Sequence, residues 1–151
     1  MSISHNFPDI PPVWALGFLA AEVAAAFVLP LAFFSSSLTT MIGMGLIVVG
    51  LAVMVWSALW FRRKQTSIEP REVPTALIVE GPYRINRNPI YTGMALGLVG
   101  VAFWLGALSA VAVAIGFPFV ITTRFIRGEE AALRSAFGPQ ADAYFARSRR
   151  W

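Results

Sequence analysis

Residues 38–61 run the length of a membrane crossing without one charged side chain. In hydrocarbon there is no water to satisfy backbone N–H and C=O groups, so such a run must pair them internally, as a helix does. A second apolar run, 13–34, carries a single charge, Glu22, and both runs reach the roughly 20 residues that a crossing helix needs. A third, 89–123, is too long for one ordinary span. Trp104-Leu105-Gly106 falls near its middle. The expected structure there is a hairpin of two short helices, about 90–104 and 108–124, turning at Gly106; one long tilted helix is the alternative. Charged residues make up only 13% of the chain, against about 25% in a soluble domain. The fold class is therefore all-α and integral to the membrane. We expect a single membrane domain, 1–151, of about four transmembrane helices, whose C-terminal helical hairpin is followed by a cytosolic amphipathic helical tail.

The twelve Lys and Arg residues fall in two groups. Arg62, Arg63, Lys64, Arg71, Arg84 and Arg87 lie between the second and third spans; Arg124, Arg127, Arg134, Arg147, Arg149 and Arg150 follow the fourth. The links 35–37 and 105–107 carry no charge. The positive-inside rule then puts both basic segments in the cytoplasm, and four spans bring the N-terminus there as well. The net charge of +4 belongs to this topology and to contact with membrane lipids rather than to nucleic acid. Trp14, Trp56, Trp60 and Trp104 stand near expected interfaces, where tryptophan anchors helices. The N-tail has no basic residue before its apolar run and does not read as a cleaved signal peptide. The compact four-span form suggests a prokaryotic plasma membrane.

The long loop, 62–88, is broken by Pro70, Pro74 and Pro82, which argues against a continuous helix; 75–80 suits extended chain. Beyond the fourth span, Ala132, Leu133, Ala136 and Phe137 form one apolar stripe at helical spacing. Gly138-Pro139 stops that helix, and a second short one, about 140–148, presents Ala141, Tyr144 and Phe145. Gly97 and Gly100 read as a close-packing site between spans.

The chemistry concentrates at the mouth of the hairpin. Residues 81–93 read Gly-Pro-Tyr-Arg-Ile-Asn-Arg-Asn-Pro-Ile-Tyr-Thr-Gly, and Glu129-Glu130 lies at the hairpin's other end, so folding brings two polar clusters together. Asn88-Pro89 has the form of a helix start, Asn as cap and Pro as first helical residue. A helix N-terminus carries unsatisfied N–H groups and partial positive charge, and Arg84, Arg87 and Tyr91 converge on the same place. Glu129 and Glu130 have two readings. One is plain helical pairing, Glu130 with Arg134 and Arg127 with Glu130; the other is an anchor for a ligand ammonium. Glu22, an acid within a span, is a functional suspect by its position, or else is protonated or paired with a buried polar neighbour. There is no cysteine, and the one histidine, His5, lies in the N-terminal tail. A thiolate nucleophile, a histidine base and a Cys/His metal site are therefore not expected.

These residues, Gly81-Pro-Tyr-Arg, Arg87-Asn-Pro, Tyr91 and Gly93, then Glu129-Glu130, Leu133, Phe137-Gly138 and Tyr144, resemble the isoprenylcysteine carboxyl methyltransferase family, which is related to the integral-membrane phospholipid methyltransferases. The resemblance covers roughly residues 72–151. It implies methyl transfer from S-adenosylmethionine to a lipophilic or lipid-linked acceptor at the cytosolic membrane face. By the same resemblance, Leu77, Ile78 and Tyr83 line the approach to the cofactor. Arg87, Asn88, Pro89, Ile90 and Tyr91 occupy the family's Arg-His-Pro-x-Tyr segment. Glu129 and Glu130 match the acidic pair that binds the cofactor's amino-acid end, and Arg124, with Arg127 second, matches an arginine implicated in substrate binding. Asn88 stands where many members have His, and Ala141 where Tyr is common. Three other readings compete: a four-helix proton-coupled transporter using Glu22, a sterol-reductase-type relative, and a non-enzymatic relative that keeps the fold alone.

Overall fold

The computed structural model describes residues 9–65 and 74–151; His5, Pro70 and Arg71, and the N-tail and mid-loop readings that rest on them, lie outside these. Among the described residues there are six α-helices: α1 (Pro11–Val28), α2 (Ser37–Lys64), α3 (Pro89–Leu105), α4 (Leu108–Ile121), α5 (Arg127–Phe137) and α6 (Pro139–Arg147). No strand occurs among the described residues, where 75–80 is irregular. Among the described residues, three helical stretches are long and apolar enough to cross a membrane: Pro11–Val28, Ser37–Lys64 and Leu108–Phe137. α3 is a shorter apolar helix of 17 residues.

Helix ends follow local chemistry. Ser36 and Thr39 form a reciprocal capping box at the start of α2, with Ser36 Oγ accepting from Thr39 N at 3.1 Å and Thr39 Oγ1 from Ser36 N at 2.8 Å, which satisfies donors that a helix start leaves orphaned. Arg62, Arg63 and Lys64 fill its last turn, where cations favour the negative end of the helix dipole. α1 stops at Val28, short of the expected 34. Pro30 disfavours helical torsion at Leu29, which takes φ −144° and ψ 69°. The released chain folds over the hairpin tip: Phe34 N donates to Gly106 O at 2.9 Å and Leu108 N to Ala32 O at 3.0 Å. Gly106 ends α3 at φ 64°, and a Cβ there would lie 2.7 Å from Ser35 Cβ. The third apolar run is thus a hairpin turning at Gly106.

α3 sits between α2 on one side and α4 and α1 on the other. The α2–α3 contact is backbone against backbone. A Cβ on Gly43 would lie 2.5 Å from Gly100 O, and one on Gly50 would lie 2.5 Å from Gly93 O. Glycines seven apart on each antiparallel helix therefore make the close approach. Gly97 and Gly100, read as a close-packing site, both lie against α2: a Cβ on Gly50 would also lie 3.0 Å from Gly97 N. Gly97 has nothing within 4 Å of its own Cβ position, however, so Gly93 and Gly100 are the α3 positions where α2 leaves no room for a side chain. On the other side of α3, Phe117, Ile121, Ile126 and the alanines at 102, 110 and 114 form the core. Glu22 is fully buried in α1, and neither carboxyl oxygen has a hydrogen-bond partner among the described residues.

The fourth span does not end before the tail. α4 passes through a π turn, Thr122–Ile126, directly into α5. Pro118 lies just upstream, inside α4, and a helical proline removes one backbone hydrogen bond. A π turn adds a residue to the repeat, which rotates the downstream helix by about 100° relative to an uninterrupted α-helix. Gly138, at φ 49°, then separates α5 from α6, as Gly138-Pro139 predicts.

Candidate active site

The end of the bundle that carries Arg62–Lys64 also gathers the start of α3, the helical tail and the loop before α3. Pro89 is the first residue of α3. Asn88 holds the cap position, but its side chain caps nothing. Instead Asn86 Oδ1 accepts from Asn88 N at 2.8 Å and Asn86 Nδ2 donates to Thr92 Oγ1 at 2.8 Å. Asn88 is buried, and its Nδ2 donates to Arg150 O at 2.9 Å. The side-chain cap expected of Asn88 is therefore not made, because its amide is drawn to the chain after α6, and Asn86 braces the turn that leads into α3.

One turn into α3, buried Tyr91 donates from its hydroxyl to Glu129 Oε1 at 2.5 Å. This bond joins the two polar clusters across the hairpin. Glu129 is half-buried, and its second oxygen accepts no hydrogen bond among the described residues.

Its neighbour has a different environment. Glu130 is buried and bidentate to Arg150, with Nε to Oε1 at 2.9 Å and Nη2 to Oε2 at 2.6 Å. Arg87 Nε lies 3.3 Å from the same Oε1. The helical pairing expected of Glu130 is not made; Arg134 instead bonds Asp142 at 3.1 Å and lies over the Phe145 ring. The fork-shaped guanidinium of Arg150 matches a carboxylate better than a helical neighbour can.

Arg87 ties this frame together. Its Nη1 donates to Phe145 O at 2.8 Å and Ser148 O at 3.0 Å, and its backbone N to Arg149 O at 2.7 Å. Its guanidinium also lies 4.8 Å from the Phe145 ring centre. Tyr144 donates to Tyr83 O at 2.7 Å, and both tyrosines are buried. Burial pushes the Tyr144 phenol up to about 12. Burial, helped by Tyr144 and Glu129, also pushes the Tyr83 phenol up, so both stay neutral hydrogen-bonding groups. Ile78 is buried, while Leu77 and Ile90 are partly so.

The two arginines matched to substrate binding lie in and just after the π turn. Arg124 bonds Asp9 Oδ1 at 2.6 Å and lies 5.0 Å from the Trp14 ring centre, so it is committed to the entry of α1. Trp14, read as a membrane anchor, is held there by Asp9 at 2.9 Å. Arg127 is exposed and makes no ion pair among the described residues. Sequence reasoning missed Arg150 and Asp9 as partners of these groups. They had no local signal: Arg150 is 20 residues from Glu130 and Asp9 is 115 from Arg124.

Residues 38–140 match the phospholipid methyltransferase family, a stretch that runs from α2 to the start of α6 and contains the Tyr91–Glu129 contact. The chain belongs to the phospholipid methyltransferase family. Membership makes it a membrane methyltransferase, and the family is the one that also takes in the isoprenylcysteine enzymes. No curated protein and no solved structure matches the chain. Within the phospholipid methyltransferase stretch lie α3, the hairpin turn, the π turn and Glu129-Glu130; Arg150 falls outside it.

Proposed function

We propose that this chain transfers a methyl group from S-adenosylmethionine to a lipophilic acceptor at the basic end of the bundle, which the positive-inside rule directs to the cytosol. The observation that carries the reading is the Tyr91–Glu129 bond, which closes the mouth of the hairpin around a half-buried carboxylate.

The residues suit the donor unequally. Glu129 keeps one oxygen open toward a ligand ammonium. Glu130 has both oxygens taken by arginines, so its part is to hold Arg87 and Arg150 in place. Leu77, Ile78 and Tyr83 offer an apolar wall on the loop side, and Asn88, Pro89, Ile90 and Tyr91 the start of α3. When bound, S-adenosylmethionine supplies a methyl already activated on a sulfonium. The chain then needs only to orient donor and acceptor and to keep water out, and orientation of this kind supplies up to about 7–11 kcal/mol in favourable cases. Arg127, with no carboxylate partner among the described residues, is the better cation for positioning an acidic acceptor, and Arg124 braces α1.

Titrating the purified protein with S-adenosylhomocysteine tests this reading. Saturable binding that weakens about tenfold in Glu129→Gln, from loss of one charged contact, is the expected result. Absence of saturable binding overturns it.

A further inference from the structure

Beyond methyl transfer, we infer that the cleft between Arg84 and Arg147 is a phosphate-binding site. Among the described residues, Val79, Arg84 and Arg147 line a cavity of about 450 Å³. The two arginines come from distant parts of the chain, one closing the 3-10 turn Gly81–Arg84 and the other ending α6. Their spacing is built in. Arg84 follows Tyr83, Arg147 stands one turn after Tyr144, and the buried Tyr144–Tyr83 bond of 2.7 Å locks these two segments together. A second clamp lies alongside, where Arg149 N donates to Ile85 O at 3.3 Å and Arg87 N to Arg149 O at 2.7 Å.

Among the described residues no carboxylate compensates this pair. Each carboxylate of the described residues at this end has another partner. Glu80 bonds Lys64 and the backbone N of Val79; Glu129 bonds Tyr91; Glu130 holds Arg87 and Arg150; Asp142 holds Arg134; Asp9 holds Arg124. Neither Arg84 nor Arg147 makes an ion pair among the described residues, and both are exposed. Like charges fixed across one cleft repel unless an anion lies between them. A tetrahedral phosphate accepts guanidinium forks from two directions at once, and basic clefts at a membrane rim take phosphate head groups in this way. The same chemistry fits a free phosphate or the phosphate of an anionic lipid.

The full-length protein in neutral detergent is titrated by calorimetry with inorganic phosphate and, separately, with phosphatidylglycerol in mixed micelles. Saturable binding of inorganic phosphate assigns the site to a soluble phosphate, and binding of phosphatidylglycerol alone assigns it to a lipid head group. In either case R84Q/R147Q loses about tenfold or more in affinity, R84K/R147K recovers most of it, and R62Q/R149Q, which removes the same charge from exposed positions at the same end, stays within about twofold. The proposal is overturned if neither probe saturates, if R62Q/R149Q loses as much as R84Q/R147Q, or if R84K/R147K fails to recover.

Discussion

The hydroxyl of Tyr91 and the carboxylate of Glu129, 38 residues apart in the chain, meet at 2.5 Å across the mouth of the α3–α4 hairpin. The contact needs three things in turn: Pro89 to start α3, Gly106 to reverse the chain, and the π turn to rotate α5. Hydrogen bonds to charged groups contribute roughly 1.5–3 kcal/mol. Tyr91→Phe should therefore lower thermal stability measurably. If Glu129 anchors the donor, the same change should raise the KM for the donor more than it lowers kcat. A variant with wild-type stability and kinetics would deny this contact both roles.

Glu130 and its two arginines make a different prediction. Removing one partner of a buried ion pair costs about 3–5 kcal/mol, because the remaining charge is stranded. Glu130→Gln strands Arg87, whose side chain is 13% exposed, whereas Arg150→Gln removes a guanidinium that is itself 41% exposed and leaves Glu130 paired with Arg87. Glu130→Gln should be the more damaging of the two in a thermal unfolding comparison, and the reverse order would refute the frame role assigned to Glu130.

The glycine pairs give a test within one helix. Gly93→Ala forces a Cβ to within 2.6 Å of Gly50 O, while at Gly97 the corresponding space is open. Overpacking costs about 1–3 kcal/mol, and an alanine in open helical space gains up to about 1 kcal/mol over glycine. Gly93→Ala should lower the melting temperature and Gly97→Ala should hold or raise it. Equal effects would mean that α2 and α3 are not in backbone contact.

Glu22 supplies a prediction of opposite sign. A buried polar group without a partner costs about 1–3 kcal/mol, and among the described residues neither oxygen of Glu22 has one. Glu22→Leu should stabilise the protein in detergent and leave methyl transfer intact. Loss of transfer in a stably folded Glu22→Leu protein would bring this acid into the function.

Loop docking should respond to acid. The hydrogen bond from Lys64 holds the Glu80 carboxyl below the usual carboxylate range. A group whose pKa is depressed by folding stabilises above its unfolded pKa and loses that contribution as pH falls through the folded value. The pair is partly exposed, so the effect is small, roughly 0.2–1 kcal/mol. The melting-temperature gap between wild type and Glu80→Gln should be present near neutral pH and vanish on acidification to about pH 3. A gap that widens with acid would contradict the pairing.

Apolar run lengths, the break at Gly106 and the stop at Gly138-Pro139 are local properties, and they suffice to specify an all-α membrane bundle with a C-terminal hairpin and helical tail. The residues that meet at its basic end were also visible as motifs, because Tyr91 and Glu129-Glu130 flank the hairpin. Their partners were not. Glu130 chooses Arg150 over Arg134, the Asn88 amide turns to the chain after α6, Arg124 turns to Asp9, and on α3 it is at Gly93 rather than Gly97 that a side chain would strike α2. Each choice depends on which atoms a distant segment brings within bonding distance. Helix periodicity specifies which face a residue takes, but only the packing of α2, α3 and the chain after α6 decides what that face touches.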